Sequence, residues 1–150
     1  MFYLASALVF LLDQLSKLWV AIAYQPGQSL PLIRKILHLT YVQNRGASFG
    51  LFQGQRGFLL LVGLAVIGLV FYFHLKIKSR GFLQIPLGLI WGGSLGNLCD
   101  RLLRHYVVDF IDFRFWPVFN LADTMINIGV FLIILNMVFI KEGKNASDPA

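Results

Sequence analysis

Four long apolar stretches organise the chain, and the polar residues that break them do so at few positions. Residues 2–24 are apolar enough to span a bilayer although Asp13 and Lys17 interrupt them. Residues 58–75 carry no formal charge, and residues 82–98 are uncharged until they meet Asp100 and Arg101. Residues 121–140 are apolar apart from Asp123 and two asparagines. A bilayer core needs about 20 such residues per helix. The pattern therefore predicts an α-helical polytopic membrane protein with four transmembrane helices, over about 2–24, 58–75, 82–99 and 120–140.

The long connections, about 25–57 and 100–119, have a different period. Residues 36–43 alternate and are rich in β-branched and aromatic side chains, which predicts a strand, and Asn44-Arg45-Gly46 reads as the turn after it. Residues 106–113 form a second strand-like run. Four spans put both connections on one side of the membrane, so a small β-sheet resting on the bilayer surface is expected. Residues 142–150 read as a frayed tail. There is no internal repeat, and residues 1–150 read as one membrane-embedded domain.

Composition supports the membrane reading. Hydrophobic residues are 57% of the 150 and charged residues only 13%, against about 25% charged in an ordinary soluble domain. The mean hydropathy is +0.71. A soluble enzyme, a coiled coil and a disordered chain are all excluded. The net charge of +6 lies in short segments between apolar runs, where lipid head groups rather than nucleic acid are the expected partners. Ala21-Ile22-Ala23 mimics a signal-peptide cleavage site. However, no basic segment precedes the run and Asp13 and Lys17 break it, so a retained helix is expected.

Charge counting leaves orientation open. The segment from Lys76 to Arg80 and the tail carry five basic residues on one face, while the long connections carry seven on the other. The density of charge in the short loop nonetheless favours a cytoplasmic C-terminus.

Ionisable groups inside a bilayer cost about 2.5–3.5 kcal/mol each even on the most lenient scale. Yet Asp13, Asp100, Asp109, Asp112 and Asp123, five of the seven acidic residues, lie in or beside apolar segments. Asp13 and Lys17 share a helix face and can neutralise each other. A structural ion pair is the leading reading there, ahead of a direct chemical role, and Ser16-Lys17 as a nucleophile pair is disfavoured because neighbours on a helix point apart. Gly92-Gly93 to Asp100-Arg101 combines small residues for close helix approach with a polar cluster in which Asn97 stands one turn from Asp100 and Arg101. That cluster can be an interfacial cap or the scaffold of a site.

Asp109 sits within a strand of bulky apolar residues, and Asp123 heads the fourth helix with Asn120 and Asn127 on its face. If the two converge, one holds a proton and the other does not, and together they can activate water and protonate a leaving amine. Two separately capped aspartates would be the structural alternative. The Asp-Thr-Gly of soluble aspartic proteases is absent. His38, His74 and His105 stand far apart with no His-Glu-x-x-His pattern, and Cys99 has no companions, so no metal site is expected. No phosphate-binding glycine loop is present, and Asn145-Ala146-Ser147 is too short a pattern to indicate glycosylation.

Taken in order, these motifs resemble the lipoprotein signal peptidases, the type II signal peptidases of bacteria. Asp13-Gln14-x-x-Lys17 resembles the family's first-helix motif, and Asn44-x-Gly46-Ala47-Ser48-Phe49 its second box. Gly92-Gly93 through Asn97-x-x-Asp100-Arg101 resembles the third, and Val107-Val108-Asp109-Phe110 and Phe119-Asn120-x-Ala122-Asp123 the last two. The resemblance implies an aspartic endopeptidase of the bacterial cytoplasmic (inner) membrane that cuts prolipoproteins before a diacylglyceryl-modified cysteine. By motif it implies a catalytic pair of Asp109 and Asp123. Asn44, Gly46, Asn97, Asp100, Arg101 and Asn120 would support the pair or position substrate, and Asp13 and Lys17 would shape the site.

It further implies cytoplasmic termini, a dyad and sheet near the extracytoplasmic surface, and no cofactor. Lipidated prolipoproteins and membrane lipids are the expected partners, without nucleic acid, and the chain is expected to be a monomer. Only 13 residues separate Asp109 from Asp123, short for the family, so any flap there should be reduced. A small transporter would place its polar residues near mid-bilayer with a repeat between halves, and a structural membrane partner would need no carboxylate pair.

Overall fold

The computed structural model describes residues 1–47, 51–77 and 81–145, with side chains as far as Phe139. Ser48 and Phe49 of the second box, residues 78–80 of the short loop and residues 146–150 of the tail lie outside the described residues.

The elements run α1 (Phe2–Ala23), β1 (Ser29–Ile33), β2 (Leu37–Asn44), α2 (Arg56–Lys76), α3 (Gly81–Leu103), β3 (Val107–Asp112) and α4 (Leu121–Asn145). Three helices are long and apolar enough to cross a membrane: α1, α2 and the Leu121–Phe139 portion of α4. In α1 the usual inside-out rule is inverted. Leu4, Leu8, Leu11 and Leu15 are exposed, whereas Asp13 and Lys17 are fully buried. That distribution suits a helix whose outer solvent is hydrocarbon and whose polar groups must be satisfied inward.

The helix α3 contacts α1, α2 and α4, so it is the centre of the bundle. Its centrality explains its lower hydropathy, because its buried face carries Gln84, Ser94, Asp100 and glycines in place of large apolar residues. Gly88, Gly92 and Gly96, spaced by four, face α1. A Cβ on Gly92 would lie 2.5 Å from the Ser6 carbonyl oxygen. The two backbones are thus in van der Waals contact, the mode by which membrane helices associate without a hydrophobic driving force.

The sheet has three antiparallel strands in the order β1-β2-β3. The sequence pattern predicts β2 and β3 but not β1. Every residue of β1 is exposed, so no burial alternation marks it, and Pro31 argues against a strand. Proline is tolerated there because β1 is an edge. A tight turn with Lys35 at φ 66° joins β1 to β2, and the Ile36 N–H donates to the Ile33 carbonyl. Tyr41, Val108 and Phe110 of the sheet bury against Val20 of α1, which docks the sheet on the C-terminal end of that helix. Beyond β3 the chain doubles back, and Phe119 pairs with Ile111.

Two helices outrun their apolar stretches. The helix α3 continues past Leu98 to Leu103, because Arg56 donates from Nε to the Arg101 carbonyl (2.9 Å) and from Nη2 to the Leu102 carbonyl (3.1 Å). Those carbonyls would otherwise be orphans of the helix end. The helix α4 runs to Asn145, so residues 142–145 are helical rather than frayed. Lys141 and Glu142 are good helix formers even where the apolar run has stopped.

Candidate active site

The N-terminus of α4 is capped by a reciprocal pair. Asn120 precedes the first helical residue, and its Oδ1 accepts from the Asp123 N–H (3.0 Å). In return Asp123 Oδ2 accepts from the Asn120 N–H (3.3 Å). This is a capping box with an aspartate at its third position. A third N–H of the same turn, that of Ala122, donates to Asp13 Oδ1 of α1 (2.9 Å). Asp123 therefore stands in the first turn of α4, where the helix dipole favours negative charge.

Asp109 comes from the middle of β3 and is 1% exposed. It pairs across the ladder with Val42, which places Asn44 at the diagonal position on the same face. Asn44 Nδ2 donates to Asp109 Oδ2 (2.9 Å) and Asn120 Nδ2 donates to Asp109 Oδ1 (2.6 Å). Asn97 of α3 joins the other side: its Nδ2 donates to Asp123 Oδ1 (2.7 Å), and its Oδ1 accepts from Asn120 Nδ2 (3.2 Å). Three asparagines from three elements thus hold the two carboxylates in one network. Burial, and then the negative charge of Asp123, push the Asp109 carboxyl up to about 7. Asp109 and Asp123 both line an open cleft of about 580 Å³, walled by the end of β2, the 116–119 segment and α4.

Behind this network lies a buried charge cluster. Lys17 Nζ is 2.8 Å from Asp13 Oδ2 and 3.2 Å from Asp100 Oδ2, and donates to Asn97 Oδ1 (2.9 Å). One fully buried ammonium therefore balances two carboxylates and orients the asparagine that holds Asp123. Asp100 Oδ2 also accepts from the Val108 N–H (3.1 Å), tying the end of α3 to the strand that carries Asp109. Arg104 stands 3.4 Å from the other Asp100 oxygen.

Arg101 is held by two backbone carbonyls. Its Nη2 donates to the Gly46 carbonyl (3.2 Å) and its Nη1 to the Asn97 carbonyl (3.4 Å). Gly46 is needed for this approach: its N–H donates to Asn44 Oδ1 (2.9 Å), and a Cβ would fall 2.6 Å from the Leu51 carbonyl oxygen.

The sequence-level candidates therefore divide into layers. Asn44, Asn97 and Asn120 touch the carboxylates of Asp109 and Asp123, whereas Asp13, Lys17, Asp100, Arg101 and Gly46 hold those asparagines and their backbones. Ser16 is turned away, donating to the Asp13 carbonyl (2.8 Å). Among the described residues no group of three His, Cys, Asp or Glu side chains is placed to hold a metal. His74 instead stacks on Phe2 with ring centroids 3.8 Å apart.

Sequence reading missed Gln43, Gln53 and the 116–118 wall of the cleft, and Arg56 as the cap of α3. None carries a signal in the chain, because each becomes part of the site only through contacts distant in sequence. Asn127 was visible as a polar break in an apolar run but has no assigned role.

A family model described as signal peptidase (SPase) II matches residues 5–139. A lipoprotein signal peptidase of Halothermothrix orenii is 46% identical over 135 residues, covering 90% of this chain and 93% of that protein. One of Shouchella clausii is 41% identical, covering 97% and 96%. A bacterial membrane enzyme solved by the in meso method at 2.3 Å superposes with a TM-score of 0.87 at 32% identity, over 98% of this chain and 92% of that one.

Proposed function

The chain belongs to the signal peptidase II family, and from that premise we propose that it is an aspartic endopeptidase of bacterial prolipoproteins. It removes the signal peptide by cutting just before the diacylglyceryl-modified cysteine. The observation that carries the assignment is the single cleft lined by Asp109 and Asp123, whose carboxylates share one asparagine network. Asp109, the deeply buried carboxyl whose value is pushed up to about 7, is the proton donor of the pair, and Asp123 is the base.

In the first half of the reaction Asp123 takes a proton from water. The water oxygen attacks the carbonyl carbon preceding the cysteine while Asp109 gives its proton to the carbonyl oxygen. In the second half Asp123 returns its proton to the cysteine nitrogen and the C–N bond breaks. Asp109 recovers a proton from the departing carboxyl group. Two carboxylates suffice for this chemistry, so no cofactor is invoked. Asn44, Asn97 and Asn120 fix the carboxylates, and Asp13, Lys17, Asp100, Arg101 and Gly46 fix the frame around them.

The same reading makes residues 1–150 one membrane-embedded peptidase domain of the cytoplasmic (inner) membrane, acting as a monomer on substrates in the same bilayer. The helix α3 is then the fourth span: its 23 residues at about 1.5 Å each exceed the roughly 30 Å of a hydrocarbon core. Both termini are cytoplasmic, and the sheet and dyad lie at the extracytoplasmic surface among the lipids. The exposed apolar residues Leu30, Leu32 and Ile36 of the β1–β2 hairpin support a sheet that rests on the membrane.

The test is cleavage of a diacylglyceryl-modified prolipoprotein by the purified protein, beside Asp109→Asn and Asp123→Asn variants and an unlipidated precursor. Cutting by the unmodified enzyme alone, and only of the lipidated substrate, is expected. Folded variants that still cut would remove the dyad from the mechanism.

A further inference from the structure

Asn127 is a polar side chain that the proposed reaction leaves unused. It lies on α4 four residues after Asp123, hence on the same helix face and about 6 Å further along the axis. It falls inside the apolar Leu121–Phe139 stretch, is exposed and lines the same cleft as the two aspartates. The nearby Asn97 and Asn120 side chains are taken up in the dyad network. No hydrogen bond or ion pair engages the Asn127 amide among the described residues. An amide without a partner becomes costly once water is displaced from around it, so its place in the cleft calls for a partner that arrives with the substrate.

The substrate has the matching deficit. A signal peptide crosses the bilayer as a helix, but a peptide bond can be attacked only when the chain around it is unwound. Unwinding leaves backbone N–H and C=O groups unpaired in a low-dielectric environment. Because α4 enters the bilayer from its Asp123 end, Asn127 lies on the membrane-interior side of the dyad, where the signal-peptide side of the scissile bond runs. An extended chain advances about 3.3 Å per residue, so one helical turn corresponds to one or two residues upstream of that bond. A carboxamide offers one acceptor and two donor hydrogens and can pair with both groups of an extended backbone.

We propose that Asn127 is a substrate-binding residue that hydrogen-bonds the unwound backbone of the signal peptide one to two residues before the scissile bond. The proposal rests on the peptidase reading and assigns no chemistry to Asn127. Its effect is therefore on binding of the extended segment rather than on the chemical step.

The experiment measures kcat and KM on a lipidated precursor peptide for the unmodified enzyme and for Asn127→Leu, Asn127→Ala and Asn127→Gln. A second set of peptides carries an ester in place of one of the two peptide bonds upstream of the scissile bond. An ester has no N–H and a weaker carbonyl acceptor. Asn127→Leu and Asn127→Ala should raise KM about tenfold with kcat nearly unchanged, as expected for loss of a ground-state hydrogen bond, and Asn127→Gln should recover part of the loss. One ester should raise KM for the unmodified enzyme by a similar factor and add little in the Leu and Ala variants.

An unchanged KM in Asn127→Ala, or ester penalties equal in all enzymes, would overturn the proposal. So would a loss confined to kcat. Failure of the unmodified enzyme to cut any lipidated peptide would instead strike the peptidase reading itself.

Discussion

Asn120 and Asp109 are joined by a 2.6 Å hydrogen bond from Nδ2 to Oδ1, and the same side chain caps α4 through its oxygen. One carboxamide thus holds the strand-borne carboxylate with its nitrogen and the backbone N–H of Asp123 with its oxygen. Asn120→Ala should cost about 1 kcal/mol of stability through the lost cap and lower kcat/KM by roughly two orders of magnitude, since poorly placed reacting groups lose about that much. Thermal unfolding and cleavage kinetics of the variant check the two effects separately. Asn120→Asp should not restore activity, because it adds a third carboxylate to the pair.

The raised Asp109 carboxyl makes both activity and stability depend on pH. Its value near 7 in the folded protein exceeds the value of about 3.9 expected in an unfolded chain, so between these values the folded state binds more protons. Stability attributable to Asp109 is therefore greatest below about 4 and falls as pH rises to 7, by up to a few kcal/mol. Asp109→Asn removes this dependence. The variant should gain stability relative to the unmodified protein as pH rises from 4 to 8, as read by thermal unfolding across that range. The activity should decline above about 7 as the dyad loses its shared proton, the two groups titrating as a pair.

Lys17 is fully buried against Asp13 and Asp100. Lys17→Met would leave the buried Asp13 carboxylate without its cation and Asp100 with Arg104 alone. A loss of about 3–5 kcal/mol is expected, together with loss of activity as Asn97 loses its orienting donor. Unfolding of the purified variant in lipid or detergent measures the first. A variant as stable as the unmodified protein would show that the cluster relaxes without its lysine.

Gly92 marks the closest approach of α3 to α1. The contact of an added methyl would be with Ser6 backbone atoms, which no rotamer change can move. Gly92→Ala should destabilise the protein by about 1–3 kcal/mol, the usual cost of overpacking. Gly68→Ala, where a methyl meets nothing within 4 Å, should not. The pair of variants compared by thermal unfolding isolates helix contact from glycine content.

The sequence by itself determined the membrane class, most of each helix and the aspartates that stand out as candidates, because these depend on local quantities. Hydropathy over some 20 residues marks a span, and charge is so costly in hydrocarbon that Asp13, Asp109 and Asp123 stand out wherever they fall. It missed β1, an edge strand with Pro31 and no buried face, and it stopped α3 at about residue 99, since the side chain that caps its true end is Arg56, 45 residues from Arg101. The division of labour among the polar residues was also beyond it. Asp100 and Asp109 look alike in the chain, yet one neutralises Lys17 and the other lines the cleft. That difference arises only when α1, α3, α4 and β3 meet, because the partner that sets each carboxylate's role is supplied by a distant segment.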